Sequence, residues 1–116
     1  MMPKRGEVWQ VRFDPAERDE VKKVRTDVVV SEDEIGRLRL KIVVPITGWN
    51  PKFGSHAWFV RLLPTPKNGL TKESGADAFQ VKSVSETRFL TRLGVLGDDD
   101  LDKIAKAIAM CVGVPG

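Results

Sequence analysis

Leu38-Arg39-Leu40-Lys41-Ile42-Val43-Val44-Pro45-Ile46-Thr47 decides the fold class of this 116-residue chain. Leu38, Leu40, Ile42, Val44 and Ile46 fall at every second position, the period of a β-strand. Toward the N-terminus, Val24 to Val30 reads as another strand, with Val28, Val29 and Val30 continuous enough for burial on both faces. Before it, Trp9, Val11 and Phe13 alternate with Gln10 and Arg12, predicting a strand from Arg5 to Phe13. Asp14-Pro15 ends that strand, because proline gives no N–H to a ladder. Ala16 to Lys23 is a highly charged loop, long for a hairpin. Ser31-Glu32-Asp33-Glu34 has capping-box spacing and predicts a short helical turn.

Toward the C-terminus, Gly48 to Ser55 reads as a loop and Ala57 to Leu63 as a fourth strand, closed by Pro64 and Pro66. Asn68-Gly69 is a turn signal. Ala76 to Lys82 predicts a fifth strand, with Gln80 facing away from Phe79 and Val81. Ser83-Val84-Ser85-Glu86 predicts a second capped helix, running through Phe89, and Thr91 to Leu96 a last strand. Asp98 is expected to cap the one substantial helix, whose stripe is Leu101, Ile104, Ala105, Ile108 and Val112. Asp98, Asp99 and Asp100 sit at its positive end, and Gly113 and Pro115 stop it. Met110 and Cys111 are expected in its core. Five or six short strands with little helix between them argue against βαβ units. They predict one domain, residues 1–116, that is mainly β: a small bent sheet or barrel with a C-terminal helix packed on it.

Composition narrows the function. A hydrophobic fraction of 41% supports a modest core, and a net charge of +3 leans mildly toward polyanions. Lys4, Arg5, Arg12, Arg18, Lys22, Lys23 and Arg25 crowd the first 25 positions. A single cysteine, Cys111, excludes a disulfide framework and a cysteine-based zinc site. No metal-ligand spacing and no phosphate-cradling glycine loop is present, so neither a metal nor another cofactor is expected. No apolar run approaches membrane-spanning length and the start lacks a signal-peptide stretch, so a soluble, cytoplasmic protein is expected.

Lys4-Arg5-Gly6-Glu7-Val8-Trp9, Asp14-Pro15, Arg25 before a valine strand and Ile42-Val43-Val44-Pro45-Ile46-Thr47 together resemble the MazF/PemK/Kid toxin family. Gly69-Leu70, Ser74, Gln80 and the Arg88 turn before Leu93-Gly94 continue the match in the same order. The resemblance implies an SH3-like β-barrel that forms a homodimer. It further implies a sequence-selective, ribosome-independent endoribonuclease of single-stranded RNA, acting on mRNA to inhibit growth and neutralised by a small antitoxin. The chain departs from the family pattern where Thr26 replaces the usual proline after Arg25, where Asp27 replaces an apolar residue, and in the charged loop, which usually carries glycine near Arg18 although Glu20 keeps the acidic position.

RNA can be cut without metal because its own 2′-OH attacks the phosphodiester. The site must then accept that proton, stabilise charge on phosphorus and protonate the leaving oxygen. Arg25 offers a planar fork of donors suited to phosphate and resembles the family's catalytic arginine; on its own it would read as a surface cation. Thr47 can donate a hydroxyl to phosphate, as the resemblance implies, or serve strand propensity alone. Glu20 is implied as an RNA contact and a candidate acceptor of the 2′-OH proton, against the alternative of a solvated loop carboxylate. Lys22, Lys23 and Lys82 are candidate RNA contacts. His56, the only histidine, and Gln80 are implied at RNA-contacting positions, although a structural hydrogen bond suits His56 better. Trp49, Phe53 and Trp58 flank the Gly48–Ser55 loop and can stack bases, with packing preferred for Trp58. Asp27 shares a strand face with Arg25 and can approach its guanidinium. A gyrase-poisoning toxin of the same fold and an inactive relative remain the rival readings. The antitoxin is expected to present an extended acidic segment to the RNA channel.

Overall fold

The computed structural model describes residues 2–12, 24–36 and 39–115. The expected loop at 16–23, with Glu20, Lys22 and Lys23, lies outside the described residues, as do Phe13, Asp14-Pro15 and Leu38. Among the described residues seven strands form: β1 (Glu7–Arg12), β2 (Val24–Val29), β3 (Leu40–Gly48), β4 (Phe59–Leu62), β5 (Ser74–Asp77), β6 (Lys82–Ser85) and β7 (Phe89–Val95). One helix, α1 (Asp98–Cys111), follows them. All pairings are antiparallel, in the order β4-β5-β3-β2-β1-β7, with β6 also on β3.

The sheet bends strongly but does not close. Its two ends are bridged where Val95 N–H donates to Lys67 O at 2.9 Å. Gly94 permits that approach, since a Cβ there would sit 2.3 Å from Lys67 O. Gly69 turns the bridging loop with φ +73, and a Cβ on it would strike Leu93 O at 2.3 Å.

The valine run in β2 separates two apolar clusters. Val28 and Val30 join Val8, Val44, Ile46, Leu62 and the α1 residues Leu101, Ile104 and Ala107. Val29 points the other way, joining Trp9, Val11, Val43 and Val84. Burial on both faces is therefore what the continuous valines encode.

Several expected elements differ in detail. Ala76 to Lys82 is not one strand: β5 ends at Asp77, whose carboxylate accepts from Phe79 N–H at 3.2 Å and caps a 3-10 turn, Ala78–Gln80. β6 then starts at Lys82 and pairs with Leu40–Val43, while β5 pairs with Ile46–Gly48. The Gly48–Ser55 loop contains a 3-10 helix, Pro51–Ser55, capped by Asn50. Ser83 and Val84 belong to β6, and only Ser85 caps a single turn, Glu86–Arg88. Phe89 opens β7 rather than ending a helix. Ser31 to Glu34 gives a single turn, closed by Ile35 N–H donating to Glu32 O at 3.2 Å, and no longer helix, and the Ser31 and Asp33 side chains are used across the fold. Ser31 Oγ accepts from Ile42 N–H at 3.1 Å, and Asp33 Oδ1 from Arg5 N–H at 2.8 Å. The N-cap of α1 is Gly97, so Asp98 is its first residue and all three aspartates interact with the positive helix end. Cys111 packs partly against the core, whereas Met110 is 47% exposed.

Candidate RNA-cleavage site

Strand register assembles the site. Thr26 pairs with Ile46 and Asp27 with Pro45. The same register continued by one step sets Arg25 beside Thr47. Val11 pairs with Arg25, Thr47 with Gly75, and Gly75 with Arg61. Directly opposed residues share a face, so Val11, Arg25, Thr47, Gly75 and Arg61 form a row across five strands. Thr47 is exposed and Arg25 partly so. Arg25 and Thr47, both singled out in the sequence, thus lie on strands that adjoin in space.

The next row holds Trp9, Asp27 and Pro45. Asp27 is 1% exposed, and its Oδ1 lies 3.4 Å from Arg25 Nε. Burial pushes the Asp27 carboxyl up to about 6, against the opposing pull of Arg25 and Lys82. Asp27 also lines a pocket of about 120 Å³ with Val11, Arg12, Lys82, Ser83 and Arg88. Lys82, foreseen as an RNA contact, therefore stands with the arginine site. Arg12 and Arg88, named in the sequence as part of the basic front and of a motif turn but not as RNA contacts, complete this basic rim. Arg12 ends β1 and Arg88 ends a one-turn helix, positions with no local signature beyond their charge.

Beyond Thr47 the face becomes aromatic. Trp49 lies edge-on to Phe53 at 5.6 Å, and Phe53 stacks on Phe59 at 4.0 Å. The bare backbone of Gly75 makes room, since a Cβ there would meet Trp49 at 3.0 Å and Phe59 at 3.2 Å. Arg61 lies 5.3 Å from the Trp49 ring and is ion-paired with Glu73. No short-range motif announced this contact.

The His56 ring stacks on Trp58 at 4.7 Å, and its backbone N–H donates to Phe53 O at 2.9 Å, closing the 3-10 helix. Trp58 is half-buried between His56 and Phe79. Gln80 sits in the 3-10 turn, and its Nε2 donates to Asp77 Oδ2 at 2.9 Å, so its amide is already engaged.

Among the described residues, no helix is long and apolar enough to cross a membrane. Residues 4–112 match the profile of PemK-like, MazF-like toxins of type II toxin–antitoxin systems. The endoribonuclease MazF9 of Mycobacterium tuberculosis is 31% identical over 115 residues, covering 94% of this chain and 95% of its own. A MazE–MazF structure from Deinococcus radiodurans superposes with a TM-score of 0.79 at 19% identity, covering 99% of each chain. An endoribonuclease in complex with its cognate antitoxin, from a mycobacterial species, gives 0.75 at 19% identity over 98% of each chain. At such identities the solved structures speak for the fold alone. The family profile spans nearly the whole chain and the curated relative aligns almost end to end. The chain therefore belongs to the PemK-like, MazF-like toxins of type II toxin–antitoxin systems.

Proposed function

We propose that this toxin is a sequence-selective endoribonuclease that cuts single-stranded RNA, mRNA included, without metal or ribosome. The observation that carries this reading is the β2–β3 register, which pairs Thr26 with Ile46 and so leaves Arg25 and Thr47 as the next residues of adjoining strands. The ribose 2′-OH attacks the adjacent phosphorus and the 5′-oxygen leaves, giving 2′,3′-cyclic phosphate and 5′-hydroxyl ends. Arg25 stabilises the charge that builds on the phosphoryl oxygens, since guanidinium holds its proton too firmly to act readily as an acid. The Thr47 hydroxyl donates to the same phosphate. Glu20 is the proposed acceptor of the 2′-OH proton. Lys82, with Lys22 and Lys23, contacts the RNA backbone. Trp49 offers a ring for base stacking, worth about 1–3 kcal/mol per base. His56 and Gln80 extend the RNA-facing surface on the aromatic side.

The internal nucleophile makes a metal dispensable. Incubation of the purified protein with a long RNA in EDTA should yield fragments ending in cyclic phosphate. Loss of cleavage in EDTA, restored by magnesium, would overturn the mechanism.

A further inference from the structure

Phosphate chemistry calls for cations, yet a carboxylate only 1% exposed lies beside Arg25. Asp27 is fixed in register between Trp9 of β1 and Pro45 of β3. Among the described residues, no conventional hydrogen bond reaches its Oδ1, and the 3.4 Å contact with Arg25 Nε, with the weaker pull of Lys82, offsets its burial. The closest approach is at Nε, on the strand side of the guanidinium, rather than at its terminal fork. That geometry differs from competition between carboxylate and phosphate for the same pair of donors.

We propose that Asp27 is a positioning residue for RNA cleavage: ionised, it anchors Arg25 through Nε and steers the guanidinium fork toward a phosphate held at Thr47. The proposal rests on the endoribonuclease reading above. An arginine tethered at one nitrogen has less side-chain freedom to lose when the reacting phosphate arrives. Misplacement of a charge stabiliser is felt at the chemical step. Ground-state RNA affinity, spread over many contacts, is moved far less.

The charges around Asp27 make the effect visible in pH. β1 contributes Arg12, β2 Arg25, β6 Lys82 and the turn before β7 Arg88. On β3, Lys41 is ion-paired with Glu86 at 3.9 Å, and on β7, Arg92 is ion-paired with Glu7 at 3.0 Å. The carboxyl titrates near 6, so the anchor is absent below that pH and present above it.

The test compares wild type, Asp27→Asn and Asp27→Glu in single-turnover cleavage of one RNA from pH 5 to pH 8. Binding of an uncleavable 2′-deoxy analogue and the Arg25 Nε–Hε nuclear magnetic resonance signal are followed alongside. At pH 7.5 the Asn variant should cleave about three- to tenfold more slowly than wild type, with analogue affinity within about twofold. The two rates should converge toward pH 5, and Asp27→Glu should regain part of the rise. The Arg25 signal should titrate near pH 6 in wild type and stay still in Asp27→Asn. A constant ratio of rates across pH, with wild type active, would overturn the positioning role and leave the nuclease reading standing. If wild type cut no RNA at all, the nuclease reading would fall. The resonance would still decide the anchor, and an Arg25 signal indifferent to pH in both proteins would overturn it.

Discussion

A carboxyl group whose pKa rises on folding makes the folded state less stable as it ionises. Asp27 rises from 3.8 to about 6, so between those values the folded protein holds a proton that the unfolded chain has released. Its favourable contribution is fully present below about pH 4 and is lost as pH rises through about 6. A shift of about two units corresponds to about 3 kcal/mol. Asp27→Asn, neutral throughout, should therefore be more stable than wild type at pH 7 by about 1–3 kcal/mol and no different near pH 4. Urea unfolding at both pH values measures this. A less stable Asn variant at pH 7 would show that the Arg25 ion pair outweighs the burial. Arg25→Ala removes the main charge stabiliser and should slow cleavage about a hundredfold or more, read by single-turnover kinetics.

At the scale of elements, the crossing of the 67–69 segment over β7 leaves no room for a side chain. Gly69 combines positive φ with a 2.3 Å approach to Leu93 O, so Gly69→Ala should cost about 2–4 kcal/mol, measured as a lowered urea midpoint. Gly36, also at positive φ but with open space around it, should tolerate alanine better. Such crossings show where sequence reading ends. The period-two patterns of β1 and β3 and the valine run of β2 gave their positions within a few residues, although Leu40 and Ile42 of the alternating β3 set are exposed and Val43 is buried. The Asn68-Gly69 pair marked a turn correctly, yet nothing local told which strand the turn would touch. The break at Asp77 was hidden as well. Ala76 to Lys82 has strand-like composition, and only the bend of β3, which needs two short partners, divides it. Thr47 and Arg25 were legible as a pair through motif order. The burial of Asp27 and the Arg61–Trp49 contact depend on register across strands distant in sequence. The roles of Glu20, Lys22 and Lys23 rest on motif order alone.

For the whole molecule, a single copy offers RNA only the accessible face of one bent sheet, and we propose that the working unit is a homodimer whose two loops lengthen the channel. Sedimentation at micromolar concentration should show twice 12.9 kDa, and a stable monomer would count against it. The proposed antitoxin carries an extended acidic segment suited to the rim of Arg12, Lys82 and Arg88, so it should compete with RNA in a binding assay; simultaneous binding would contradict that mechanism. The division of the core by β2 has an optical consequence. All three tryptophans, Trp9, Trp49 and Trp58, lie outside the cluster packed on α1, and the chain has no tyrosine. Its near-ultraviolet emission therefore arises wholly from the Arg25 side of the sheet and its aromatic margin. A spectrum excited at the indole band will register an occupant of the aromatic margin at Trp49, so the protein carries its own lamp beside the proposed site.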